Sequence, residues 1–276
     1  MYIFGSKCLN QAWQAEAESL CYNVLDSENV LNDYPFPPDR IRVYVSYLPS
    51  YPVTYIEYLA RSAELNCNSI VADIGAGAGI LSKLLGPHAK QIMAIEPDAK
   101  MRQTAEQHLR DAANVSIISG SAEATGLEKE SIDLITAGQA FHYFDIDQAK
   151  KEFRRILKPG GMVALSWHIR ETAYPFGAEY EALLKRRCPG YTGNSGATWS
   201  ADAFFQKGFE HRVFDNYRHI DLETLIGYSL AMPFSPVRGE PGFRDFIDDL
   251  TELYRRYSAG DGLELRSRLD SYLGEI

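Results

Sequence analysis

The stretch Ser69-Ile70-Val71-Ala72-Asp73-Ile74-Gly75-Ala76-Gly77-Ala78-Gly79-Ile80-Leu81 constrains this chain more than any other. A short apolar run passes into three alternating glycines and then into an amphipathic helical pattern. That order predicts a buried parallel strand, a tight turn and a helix. The glycines admit positive φ and let a ligand approach where a Cβ would stand, and the N–H groups of the next helix favour anionic or polar ligand groups. The stretch therefore predicts the nucleotide-type ligand site of a doubly wound α/β domain, with a purely structural turn as the alternative. The dinucleotide fingerprint G-x-G-x-x-G is not met: Gly75 and Gly77 fit its first two positions, but the third falls on Ile80. The pattern is instead D-x-G-x-G-x-G, led by Asp73. A second apolar run, Gln91 to Ile95, ends in Glu96, about 20 residues beyond the glycines, where a strand-end carboxylate meets a ribose diol. Two hydroxyls on one carboxylate make a pair of charge-assisted hydrogen bonds.

From residue 52 to 168 the pattern alternates. Helices are expected near 53–65, 79–86, 98–112 and 146–157, and strands near 69–74, 91–96, 115–119, 132–137 and 162–167. Such alternation implies a mostly parallel sheet with helices on both faces and right-handed crossovers. Ligands then lie at the carboxyl ends of the strands, where Asp73, Glu96, Gly120 to Glu123, Gln139 and Trp167 are expected to converge. Beyond Trp167 the alternation breaks into an aromatic- and glycine-rich segment, residues 169–210, read as a cap. His211 to Asp221 alternates like a sixth strand, Leu222 to Met232 and Phe243 to Tyr257 read as helices, and Gly262 to Leu273 reads as a seventh, antiparallel edge strand. At the front, Leu9, Trp13, Ala17, Leu20 and Val24 mark an amphipathic helix. The expected organisation is an N-terminal extension over 1–40, packed on the domain surface, closing over the ligand mouth or exchanged with another subunit, a core over 41–168, the cap over 169–210 and a completion of the sheet and helices over 211–276.

With these elements in place the sequence resembles the class I S-adenosyl-L-methionine (SAM)-dependent methyltransferases, in particular the type 11 small-molecule branch that includes trans-aconitate methyltransferase-like enzymes. Beside the Asp73, glycine and Glu96 set, Gly120-Ser121-Ala122-Glu123-Ala124 is similar to the adenine-binding segment after the third strand. Ser131 to Thr136 resembles the fourth strand, Gln139-Ala140-Phe141-His142-Tyr143-Phe144 the branch's Q-A-x-H-W-F run, and Leu157-Lys158-Pro159-Gly160-Gly161 the turn before the fifth strand. The resemblance covers roughly residues 40–168, and more loosely 263–273. It implies a Rossmann-like seven-stranded sheet with an antiparallel last strand, and SAM as cofactor with S-adenosyl-L-homocysteine as product. It implies cofactor contacts from Asp73, Gly75, Ala76, Gly77, Gly79, Glu96, Pro97, Ser121, Ala122, Glu123, Ala137, Gln139 and Tyr47. It also implies a small-molecule acceptor in a pocket drawn from Trp13, Tyr51, Tyr143, Trp167, Tyr174, Phe176 and Trp199. Tyr44 to Pro52 resembles the branch motif Y-x-x-Y-R-P-x-Y-P near the methionine end of SAM, with Leu48 where the family carries Arg, so a bidentate carboxylate partner is missing there.

A methyl group on a sulfonium is already activated, so the chemistry asks mainly for alignment, with a base needed only where the acceptor must lose a proton. His142 is the first candidate for that base and His168 the second, each with a packed wall residue as its alternative. The chain has no H-E-x-x-H, no P-loop and no Ser-His-Asp order, and its cysteines Cys8, Cys21, Cys67 and Cys188 match no metal spacing. A formal net charge of -9 argues against a nucleic-acid partner. No signal peptide and no run of ~18 apolar residues is seen, so a cytoplasmic protein with reduced thiols and no membrane partner is expected. A homodimer is left open. Two other functions stay in view: a SAM-binding regulatory or partner protein without methyl transfer, and a Rossmann oxidoreductase, which Ile80 opposes.

Overall fold

The computed structural model describes residues 47–193, 201–205, 207–260 and 262–276. The expected helix marked by Leu9 to Val24, with Trp13, and Trp199 of the expected pocket lie outside the described residues. Seven strands, β1 (Ile70–Ile74), β2 (Gln91–Ile95), β3 (Val115–Ile118), β4 (Ile132–Gly138), β5 (Leu157–Arg170), β6 (Phe209–Ile220) and β7 (Leu263–Gly274), form one sheet in the order β3-β2-β1-β4-β5-β7-β6. β1 to β5 pair in parallel, and β7 runs antiparallel to β5. Among the described residues the helices are α1 (Val53–Ser62), α2 (Ile80–Leu85), α3 (Ala99–His108), α4 (Ile146–Ile156), α5 (Pro175–Arg187), α6 (Ala201–Phe204), α7 (Leu222–Ala231) and α8 (Phe243–Tyr257). The fold is thus the seven-stranded, mostly parallel α/β sheet that the alternation implied.

Short-range chemistry sets the helix starts. Asp98, Asp145 and Asp221 each turn a side-chain oxygen to a backbone N–H in the first turn of α3, α4 and α7, which satisfies a donor the helix cannot. In α4 the buried Ala149, Lys150, Phe153 and Ile156 recur at helical spacing and face the sheet. Pleating sends alternate strand residues to opposite sides. Ala72, Ile135, Val163 and Leu165 join a core with Phe141, Phe153 and Phe204, while Val71, Leu134 and Ala164 join another with Tyr55, Leu59, Leu81 and Leu85. Both faces are therefore covered.

Three features differ from expectation. The segment Lys158 to Gly161 is part of β5 itself: its pairing slips from Ile132↔Leu157 to Leu134↔Met162, and Gly160 takes φ 79° to absorb the extra residues. β7 is not the edge; it lies between β5 and β6. Its alternate residues Leu263, Leu265, Ser267, Leu269, Ser271 and Leu273 are buried, whereas β6 exposes most of residues 210–217. Apolar alternation marks a half-buried strand but does not name its neighbour. Finally, residues 175–187 of the segment read as a cap form α5, with Pro175 at its first position and Phe176, Tyr180, Leu183 and Leu184 buried at helical spacing.

The chain divides into two compact units. One comprises residues 49–182, 192–218 and 264–276 and holds the glycine turn and the bulk of every strand. The other comprises residues 47–48, 183–191 and 219–263. In it Phe246, Leu250 and Leu253 are buried, Tyr191 packs on Phe234 at 4.7 Å, and Arg187 pairs with Asp245 and Asp249.

Candidate functional site

β1 is flanked by β2 on one side and β4 on the other, so the crossovers leave it in opposite directions. A crevice opens at the carboxyl ends of strands at such a point. The glycine turn lies there. Gly75, Gly77 and Gly79 have φ of 69°, 55° and 78°, a region open to glycine and costly for other residues. Their reasons differ. A Cβ on Gly75 would stand 2.5 Å from the Ala140 Cβ, and one on Gly79 would stand 2.6 Å from a Leu109 methyl, so these two are needed for packing. A Cβ on Gly77 would meet nothing within 4 Å. Gly77 is the glycine whose open side faces away from protein, which is where a ligand can come close.

Glu96 completes this corner. It is buried, and its carboxylate accepts from Gly77 N–H at 2.8 Å and from Asp98 N–H at 2.9 Å. Gly75 and Ala76 N–H groups bond to the Ile95 carbonyl, so turn and strand end form one hydrogen-bonded unit. Burial raises the Glu96 pKa, against the lowering effect of the two N–H groups. Each carboxylate oxygen retains acceptor capacity beyond its backbone bond.

Asp73 is placed differently. It is 2 % exposed, and its oxygens accept from Ser82 Oγ at 2.6 Å and Thr136 Oγ1 at 2.8 Å. Burial pushes its pKa up to about 6. It holds α2 and β4 to the end of β1 and acts on the crevice through those elements. At the next strand end, Ser121 and Ala124 exchange backbone hydrogen bonds, Ala122 is buried, and Glu123 accepts from the Asp145 N–H. This loop is clamped by Glu152 on α4, which accepts from both Thr125 N–H and Thr125 hydroxyl and from Arg155. The Arg155 guanidinium holds the Glu152 pKa down to about 2. Neither Glu152 nor the Ser82 and Thr136 partners of Asp73 is marked by a local motif. Ala137 is buried in β4, and Gln139 follows it with φ 59° and its N–H on the Ser166 carbonyl. A non-glycine residue held there is strained, a condition concentrated at ligand sites. Pro97 follows Glu96 and carries its carbonyl to Arg102.

Sequence comparison agrees with this geometry. A family model for a methyltransferase domain matches residues 72–165. An uncharacterized methyltransferase of Schizosaccharomyces pombe is 30% identical over 231 residues, spanning 83% of this chain and 81% of that protein. The chain belongs to the methyltransferase family. A methyltransferase-like protein of the same yeast is 32% identical over 50% of this chain and 53% of its own length. The fold is shared with the solved structure of a candidate type II methyltransferase from Anaeromyxobacter dehalogenans, at a TM-score of 0.59 and 19% identity over 83% of this chain and 98% of that one. The protein is a class I SAM-dependent methyltransferase.

In this methyltransferase the described residues expected at the acceptor, as a base and at the methionine end of SAM sit on several different elements. Tyr47, expected at the cofactor, donates its hydroxyl to Glu223 at 2.6 Å and lies against Gly227 of α7, in the unit that does not hold the glycine turn. Trp167 and His168 are neighbours on β5, so pleating sends them to opposite faces. Trp167 is buried against Phe141 and Tyr272, and Phe176 is buried in a stack on Tyr180 at 5.6 Å. Tyr174 accepts from the Arg266 N–H. His142 and Tyr143 share the short 3-10 turn after β4, their rings 4.0 Å apart and Tyr143 75% exposed, while Phe141 points into the core. Partial burial lowers the His142 pKa. Tyr51 reaches the other face: its hydroxyl lies against Gly138, leaving no room for a Cβ there, and its ring lies 5.0 Å from that of His168. Among the described residues no cluster of metal-binding side chains occurs, and no helix is long and apolar enough to cross a membrane.

Burial, with Arg218 nearby, lowers the His168 pKa to about 4 from its usual 6.5. Between these values the unfolded chain takes up a proton that the folded chain refuses, so His168 costs stability progressively as pH falls through that window. His168→Phe is therefore expected to gain on the wild type by roughly 2 to 3 kcal/mol between pH 7 and pH 4.5. Urea unfolding at stepped pH measures it, and a difference that stays constant would contradict a buried neutral ring.

Proposed function

We propose that this methyltransferase carries the methyl group of SAM to a small-molecule acceptor, chiefly by holding the two in line. The observation that carries the proposal is the corner made by Gly77 and Glu96: a buried carboxylate fixed by the turn's own N–H, beside a glycine whose missing Cβ would meet no protein atom. That corner fits a ribose diol on a close-packed nucleoside. The Gly75 to Gly79 turn, Glu96 and the Ser121 to Glu123 loop would hold SAM, which supplies an activated methyl on its sulfonium. The strained Gln139 and the Tyr51–His168 pair stand at the carboxyl ends of β4 and β5, the side reserved in this reading for the acceptor. Alignment of this kind can contribute on the order of 7 kcal/mol. A small acceptor agrees with the net charge of -9, which repels nucleic acid.

The test is a melting-temperature comparison with SAM and with NADH, followed by calorimetry. SAM is expected to stabilise the protein and NADH to have no effect; the opposite result would overturn the cofactor assignment. Glu96→Ala is expected to weaken SAM binding by roughly 1 to 3 kcal/mol, through loss of charge-assisted bonds and release of the Gly77 N–H. Unchanged affinity in this variant would remove Glu96 from the ribose.

A further inference from the structure

His168 is held by contacts that leave one of its ring nitrogens with nothing to do. Its Nδ1 lies 3.4 Å from Asn216 Nδ2, and the same amide nitrogen donates to the Ser50 carbonyl at 3.0 Å. A backbone carbonyl only accepts, so the amide must turn its nitrogen toward Ser50, and that nitrogen has no lone pair to offer. Nδ1 therefore accepts the second amide hydrogen, and the ring proton sits on Nε2. Nε2 is sealed from solvent and has no hydrogen-bond partner among the described residues. A buried N–H left unpaired costs roughly 1 to 3 kcal/mol, and such groups in native proteins call for an explanation.

The position supplies one. His168 follows Ser166 by two residues on β5 and shares its face. Tyr51 links it to Gly138 at the end of β4. In the strand order the glycine turn follows β1, and Glu96 follows β2. β5 is two strands from β1 on the opposite side, beyond the nucleoside corner and toward the acceptor. On the same face Tyr55 stacks on Tyr51 at 5.9 Å and meets Phe214 at 5.4 Å.

We propose that His168 is a positioning residue whose Nε2–H donates to a carbonyl or carboxylate oxygen of the methyl acceptor, with Asn216 locking it in that tautomer. This rests on the small-molecule reading above. It replaces the role of base with that of donor: the nitrogen that could take a proton is Nδ1, and Asn216 already occupies it. The low pKa keeps the ring neutral, so the donor persists across the physiological range.

The test is histidine-ring ¹H–¹⁵N spectroscopy on the full chain loaded with S-adenosyl-L-homocysteine, with His168→Gln to assign the signal and sodium acetate as the oxygen probe. The expected spectrum is the neutral Nε2–H tautomer, unchanged from pH 8 to pH 5.5, with a mixture of tautomers in Asn216→Leu. Acetate should shift the Nε2–H signal saturably in the wild type. In His168→Phe, which keeps a ring of similar size, acetate affinity read from backbone amides should fall roughly 10-fold or more. An Nδ1–H tautomer, an imidazolium at pH 7, an Nε2–H signal unmoved by acetate, or equal acetate affinity in His168→Phe would each overturn the proposal. Failure of S-adenosyl-L-homocysteine to bind would instead strike the cofactor assignment and leave the tautomer result standing.

Discussion

Gly77→Val is expected to abolish measurable SAM binding, a loss of at least ~100-fold or about 2.7 kcal/mol, while the protein keeps a cooperative melt. A Cβ here meets no protein atom within 4 Å, so the fold has no steric reason to fail. The φ of 55° adds a cost of about 1 to 2 kcal/mol for a branched side chain, which lowers the melting temperature without unfolding the domain. Gly77→Asn separates blockage from strain, because asparagine tolerates the left-handed region yet still carries a Cβ. Loss of binding in both variants, read by calorimetry beside a thermal melt, is the expected pattern. Normal SAM affinity in Gly77→Asn would mean that the open side of the turn is not the ligand's side. The same substitution at Gly75 would not be informative, since its Cβ collides with Ala140 and confounds folding with binding.

Asp73→Ala is expected to be among the most damaging single changes, with a loss of roughly 2 to 5 kcal/mol. Ser82 and Thr136 are both 0% exposed, and each gives its hydroxyl to an Asp73 oxygen. Removing the carboxylate orphans both at once, in a place water cannot reach. Asp73→Asn should cost less, because it keeps the volume and one acceptor. The pH dependence has a defined sign. A carboxylate raised from 3.8 to about 6 binds its proton more readily in the folded state, so its contribution to stability improves as pH falls through that window and is least favourable above it. The wild type should therefore gain on Asp73→Asn between pH 7 and pH 4. Chemical denaturation of the three proteins across that range checks both points. A loss under ~1 kcal/mol in Asp73→Ala would show that the network does not bind α2 and β4 to β1. SAM affinity should fall along with stability in Asp73→Ala, in contrast to Gly77→Val, where the two separate.

The sheet from β1 to β5 and the identity of the Gly77–Glu96 corner were legible in the sequence because their signals are local. A buried parallel strand is a short apolar run, a turn at positive φ needs glycine, and a strand-end carboxylate follows at a distance set by one helix and one strand. The aspartate caps of α3, α4 and α7 are likewise written within four residues. Other features depend on which strands become neighbours, and periodicity does not carry that. β7 reads as a competent strand in isolation, yet only pairing with β5 decides that it enters the sheet inside β6 rather than outside it. Asp73 looks like a ligand residue beside the glycines, but Thr136, 63 residues away, turns it into a buried tie. Trp167 and His168 are adjacent letters that pleating sends to opposite faces. The tautomer of His168 is the furthest from the sequence: it depends on an amide from β6 being fixed by a carbonyl just before α1, a three-way contact among segments that only the folded sheet brings within hydrogen-bond distance.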